Sequence, residues 1–88
     1  MAEFEIEGVR LAVPDALLTP RLTAKLASGG YERDEARAAL MRVRPGRPVL
    51  DLGAGIGFIA CLCARVAGAA HVTTVEANPA LLPVIRAN

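Results

Sequence analysis

Apolar and polar residues alternate along residues 3–13, with one slip of phase. Phe4 and Ile6 hold even positions; Val9, Leu11 and Val13 hold odd ones. Strand side chains alternate with a period of two, so the slip at Glu7-Gly8 predicts a two-residue hairpin turn. That register sets Ile6 against Val9 and Phe4 against Leu11 on one face, and Glu5 opposite Arg10 on the other. The pattern then changes period. Thr19-Pro20 reads as an N-cap followed by proline at the first helical position, with the helix running to about Ser28 and stopped by Gly29 and Gly30. Ala36, Ala39, Leu40 and Val43 recur at helical spacing and predict a second helix over 32–43. Its first turn carries Glu32, Asp34 and Glu35, and Arg42 and Arg44 lie near its end, the order a helix dipole favours.

Beyond "RPGRP" the pattern changes again. "VLDLG" is a short apolar strand. "GFIACLCARVAG" (57–68) is a helix apolar nearly all round, hence buried. "HVTTVEA" is a β-branched strand, and Asn78-Pro79 caps a further helix that Pro83 bends. Strand, glycine loop, helix, strand, helix make a βαβ unit. Its non-alternating first strand suits a parallel sheet covered on both faces. The expected class is α/β, a parallel sheet built on a βαβα unit and preceded by a hairpin and two helices. Residues 1–48 form the N-terminal segment and residues 49–88 the start of a ligand-binding domain.

Composition sharpens this picture. Apolar residues make up 53% of the chain and aromatics only 3%, so the core is aliphatic. Residues 49–88 carry only four charges, Asp51, Arg65, Glu76 and Arg86. The second half therefore reads as buried on several sides and the first as a solvated attachment. Five arginines between 33 and 47 read as a solvated helix face and loop. A net charge of +1 argues against a nucleic-acid or acidic-membrane partner recruited by bulk electrostatics. Cys61 and Cys63 are two apart on a helix and point to different faces, so they read as core thiols in a reducing compartment. With one histidine, His71, no zinc set is available. "MAEFEIEG" is no signal peptide, and no apolar run is long enough to span a membrane; a cytoplasmic protein is expected.

The candidate chemistry lies in "VLDLGAGIGF" (49–58). A strand that passes through glycines into a helix, with an acidic residue roughly 20 positions on, is a nucleotide-binding arrangement. Glu76 closes the second strand at that distance, where a carboxylate accepts from both hydroxyls of a ribose. The dinucleotide fingerprint is G-x-G-x-x-G, and its third glycine falls on Phe58. The spacing here is G-x-G-x-G, with Asp51 two residues ahead. A pyrophosphate needs free N–H groups. S-adenosyl-L-methionine (SAM) has no phosphate but carries a sulfonium and an ammonium, which an acidic strand end tolerates far better.

"VLDLGAGIGF" followed by "VTTVEANP" resembles the first two motifs of class I SAM-dependent methyltransferases. "GGYERDEARAALMRVRPG" and "VEANPALLPVIRAN" are similar to the flanking segments of the FkbM-type family. The resemblance spans about residues 29–88 and implies a Rossmann-like parallel sheet of which this chain holds the first βαβα unit. It implies that Gly53, Ala54, Gly55 and Gly57 give close backbone approach to the methionine and ribose of SAM. Asp51 would orient the amino end, Glu76 would hold the ribose hydroxyls, and Ala77 and Asn78 would lie beside the adenine. Glu32 would either face the methionyl end or serve only as a helix N-terminal charge. Tyr31 and Phe58 read as packing residues and His71 as a solvated edge residue.

The function implied is methyl transfer from SAM, with oxygen of a small metabolite or sugar as the acceptor expected for FkbM-type enzymes. Residues that bind the acceptor or act as a base are expected beyond Asn88, in a longer enzyme. The alternatives are a dinucleotide-binding oxidoreductase fragment and a non-catalytic, self-associating fragment. A bare sheet edge and an uncovered apolar face lead us to expect self-association of the 88 residues.

Overall fold

The computed structural model describes residues 1–88 and contains two small sheets and four helices. β1 (Ala2–Ile6) and β2 (Val9–Val13) pair antiparallel, with Phe4 opposite Leu11, Glu5 opposite Arg10 and Ile6 opposite Val9. The turn between them has φ of 51° at Glu7 and 75° at Gly8. Two positive values in sequence make the turn type whose twist matches the strands. The ion pair of Arg10 goes diagonally to Glu3, at 3.8 Å, rather than to the directly opposed Glu5.

α1 (Pro20–Ser28) starts where the Thr19 side chain accepts from the Leu22 N–H at 3.1 Å. It ends on Gly29 in the left-handed conformation. α2 (Arg33–Arg42) ends one residue earlier than its periodicity predicts. Arg44 leaves the helix and turns its guanidinium back onto the Met41 carbonyl at 2.9 Å, satisfying an acceptor the helix end leaves free. Only Ala36 of the predicted stripe is fully buried, and Leu40 stays 45% exposed.

β3 (Val49–Leu52) and β4 (Val72–Val75) pair parallel, Val49 with Val72 through Leu52 with Val75, and α3 (Phe58–Ala67) crosses between them. The last predicted helix divides in two. Asn78 caps a single 3₁₀ turn over Pro79–Leu81, and α4 begins only at Leu82 and runs to Ala87. Pro83 has no N–H to extend the turn as an α-helix, but within the first turn of α4 that N–H is dispensable. It therefore marks a start rather than a bend.

The core reverses one expectation from composition. Its members include Ile6, Val9, Leu11 and Val13 of the hairpin, Leu26 of α1, Phe58 and Leu62 of α3, and Val84 of α4. The N-terminal segment is thus no solvated attachment: its alternating face supplies one wall of the core, and α3 supplies the other. Charge density misled here, because it reports the outward face of each strand and not the inward one. The β3–β4 sheet is covered on one face only. Leu50, Leu52 and Val75 on the other are 64%, 71% and 50% exposed. No helix is long and apolar enough to cross a membrane.

Two long-range ties fix the hairpin on the βαβ unit. Arg65 of α3 donates to the Glu7 carbonyl at 2.9 Å. Asn88 behaves as a short strand: its side-chain oxygen accepts from Ala12 N at 2.7 Å. Its amide donates to the carbonyls of Ala12 at 3.1 Å and Ile56 at 2.9 Å.

Candidate functional site

The loop 53–57 leaves β3 with φ of 78° at Gly53, 58° at Gly55 and 93° at Gly57, values that side chains with a Cβ rarely adopt. It folds back over the end of β4. The Val75 carbonyl accepts from both Gly53 N at 2.8 Å and Ala54 N at 3.1 Å. That fold brings Glu76 onto the loop. One carboxylate oxygen accepts from Gly55 N at 2.8 Å and the other from Asn78 N at 2.9 Å. These N–H groups hold the Glu76 carboxyl below the usual glutamate range. A carboxylate has about four acceptor positions, so with the Ala77 N–H also close some capacity remains for a ligand.

The loop residues divide by direction. Gly53 is exposed, with open space where a side chain would begin. Gly55 faces the Tyr31 hydroxyl, which lies 3.4 Å from where a Cβ would stand. Ala54 is buried, and a Cβ on Gly57 would lie 3.4 Å from the Cα of Ile85, so that glycine admits α4 against the loop. Gly53 and Gly55 therefore offer the surface, whereas Ala54 and Gly57 shape it from beneath.

Asp51 points to the covered side of β3, where one of its oxygens accepts from the Thr74 hydroxyl at 2.7 Å. Glu32 stands at the entry to α2 in the left-handed conformation, φ 46°, and its side chain makes no capping bond. Its carboxylate thus sits at the N-terminus of α2, as the reading of it as a helix N-terminal charge has it, without a capping hydrogen bond. The half-buried carboxylate lies beside the Tyr31 hydroxyl. Burial, then the charges of Glu35 and Asp51, raise its pKa above the usual glutamate value. Tyr31 is pushed up to about 12, chiefly by burial and then by Glu32. Its ring packs on Phe58 at 6.1 Å between centroids. Ala77 and Asn78 follow Glu76 at the exposed rim, where the Asn78 side-chain oxygen accepts from Ala80 N at 3.1 Å. His71 is exposed.

The fold thus brings Glu32, Asp51, Gly55 and Glu76 to one end of the β3–β4 sheet, with Tyr31 against the loop. Two participants escaped the sequence reading. Tyr31 is packing, as expected, but its hydroxyl also reaches the glycine loop. Thr74 aligns Asp51; only its place on β4, opposite Asp51, could have signalled this, once the register was known.

The arrangement discriminates between ligands. The amides of Gly53, Ala54 and Gly55 already have partners, and one of those partners is a carboxylate. A pyrophosphate would find few free donors and a repelling charge. The acceptors at this end of the sheet are the carboxylates of Glu32, Asp51 and Glu76, which suit cationic or hydroxyl-bearing groups better.

Comparison with known proteins reaches the level of family. A family model described as "Methyltransferase small domain" matches residues 32–88, from the entry to α2 through α4. No curated protein and no solved structure matches the chain. The match supports a class I methyltransferase, and does not extend to the FkbM-type family that the flanking segments resemble. The match takes in more than half of the chain, the glycine loop and all the acidic residues around it, and the chain belongs to the methyltransferase small domain family.

Proposed function

We propose that the chain carries the donor side of a SAM-dependent methyltransferase with a Rossmann-like parallel sheet. The observation that supports this most is Glu76. It is tied to the glycine loop and to the following turn, yet keeps acceptor capacity at the rim for the two hydroxyls of a ribose. Glu32 and Asp51 add negative charge on the side where the methionyl end would lie, which suits an ammonium and a sulfonium. Gly53 leaves room for a ligand at the backbone, and Gly55 faces the Tyr31 hydroxyl. The exposed rim at Ala77 and Asn78 is where an adenine would rest.

When bound, SAM would supply a methyl group on a sulfonium, open to in-line displacement. The task of this chain is alignment and charge: Glu76 fixes the ribose, and Asp51, set by Thr74, fixes the amino end. The acceptor is a small molecule. Oxygen as the accepting atom rests on the resemblance of Tyr31-Glu32 and of Glu76-Ala77-Asn78-Pro79 to FkbM-type enzymes. A dinucleotide-binding oxidoreductase is disfavoured by the occupied loop amides and by Phe58, fully buried where that fingerprint has its last glycine.

Calorimetric titration with S-adenosylhomocysteine, with NAD as control, tests the reading. Saturable binding of the first ligand only is expected, weakened about tenfold or more, about 1.4 kcal/mol, by Glu76→Ala. Binding of NAD instead, or binding indifferent to Glu76→Ala, would overturn it.

A further inference from the structure

A cleft of about 490 Å³ opens beside the donor site, within the range of small-molecule pockets. α1 forms one wall with Thr19, Arg21, Leu22 and Lys25. The segment from Gly30 to Glu35 forms the other. Tyr31 and Glu32 belong both to this cleft and to the glycine-loop site, so the two are continuous.

The placement of charge in the cleft is not explained by the helices alone. α2 opens with Asp34 and Glu35, as its dipole favours. α1 has no acidic residue in its first turn and carries Arg21 there instead, at the end where a cation is disfavoured. Lys25 lies one turn further along the same side of α1. Arg33 stands across the cleft. None of the three cations is in an ion pair; the pairs in the chain join the N-terminus to Asp15 and Arg10 to Glu3. Three unpaired cations, Arg21 and Lys25 on one wall and Arg33 on the other, thus line the cleft, alongside the carboxylates of Glu32, Asp34 and Glu35 on the α2 side.

We propose that this cleft is the acceptor side of the site. It takes a small molecule whose anionic oxygen group, carboxylate or phosphate, is held by Arg21, Lys25 and Arg33, with its nucleophilic end towards Glu32. Guanidinium groups match such oxygens with paired donors, and Lys25 adds a point charge. The assignment as an acceptor subsite rests on the donor reading given above, and it departs from the expectation that the acceptor-binding residues lie beyond Asn88.

The test is an amide NMR titration of the 88-residue chain with inorganic phosphate and with malonate, each repeated with S-adenosylhomocysteine. Saturable shifts are expected at residues 20–35 for at least one anion. The double variant Arg21→Gln, Lys25→Gln should weaken them roughly fivefold or more through lost charge-assisted bonds. Arg33→Gln, on the opposite wall, should weaken them independently. All three side chains are exposed, so the fold should survive. Donor binding without saturable anion shifts at 20–35 would overturn the proposal and leave the donor reading intact. So would anion shifts unchanged in both variants. Anion binding without any donor binding would remove the acceptor assignment and point to failure of the donor reading instead.

Discussion

The β1–β2 hairpin and the β3–β4 sheet differ in a way that reverses their sequences. The hairpin alternates apolar with charged residues, yet its inward positions Leu11 and Val13 are 1% and 0% exposed. β3 reads as more uniformly apolar, yet Leu50 and Leu52 are among the most exposed large apolar side chains in the chain. A strand buries only the faces that other elements cover. The hairpin needs one cover and has it, since α3, α1 and α4 close over its apolar face. β3 carries apolar groups on both faces and has a helix on one. Hydrophobicity states what a strand needs; neighbours decide what it receives.

Substitution in the core should separate the two regions most sharply. Phe58→Ala should cost about 3–5 kcal/mol, because the ring is fully buried between the hairpin and Tyr31. Leu52→Ala should stay within about 0.5 kcal/mol. Urea denaturation of both variants measures the contrast, and similar losses would mean that the β3–β4 face is covered in solution. Size-exclusion chromatography examines the same face. Self-association that Leu50→Lys and Leu52→Lys reduce is the expected outcome, and a monomer in the parent chain would show the face to be harmless.

The tie between the regions comes next. Asn88→Ala removes three hydrogen bonds and strands groups of Ala12 and Ile56, at about 1–3 kcal/mol. Amide exchange should accelerate at both β2 and the glycine loop; acceleration at only one would show that Asn88 does not couple them.

Glu32 and Glu76 should respond oppositely to pH. Glu76 has a depressed pKa, so its stabilisation is full above the usual glutamate value and is lost as pH falls through the folded value. Glu76→Gln should therefore destabilise at neutral pH and become neutral in acid. Glu32 has a raised pKa, so its ionisation costs stability that appears as pH rises through the usual glutamate value to the raised one. Glu32→Gln should stabilise at neutral pH while weakening donor binding. Thermal melts across pH, with a ligand titration alongside, check both signs.

The smallest effect is at the hairpin turn. Glu7 holds a positive φ without being glycine or asparagine. Glu7→Asn should stabilise by roughly half a kcal/mol, measured in the same denaturation series, by suiting the turn.

Local features of this kind were legible in the sequence because their causes are local. One phase slip fixed the hairpin register to the residue. Thr19-Pro20 and Gly29 bounded α1, since capping and left-handed backbone are properties of a few neighbouring atoms. The glycine loop and Glu76 were legible as a pair because a strand of known rise and a helix of known length fix the distance between strand ends. The contact of Tyr31 with the loop was not, because it joins segments linked by no periodicity. The side of β3 that stays bare was foreseen as a poorly covered face, but which residues it exposes depended on where α3 came to lie.

By itself, then, the sequence determined the main elements, their boundaries within a residue or two except at the start of α4, the parallel βαβ order and the acidic glycine loop, because each follows from backbone sterics and side-chain period. Only the tertiary structure decided that the charged N-terminal segment walls the core and that Glu32, at the start of α2, lies near Tyr31 and Asp51. It alone decided that Asn88 joins the two halves. Those outcomes depend on which surfaces meet, and the free energy of burial belongs to pairs of surfaces rather than to any one stretch of chain.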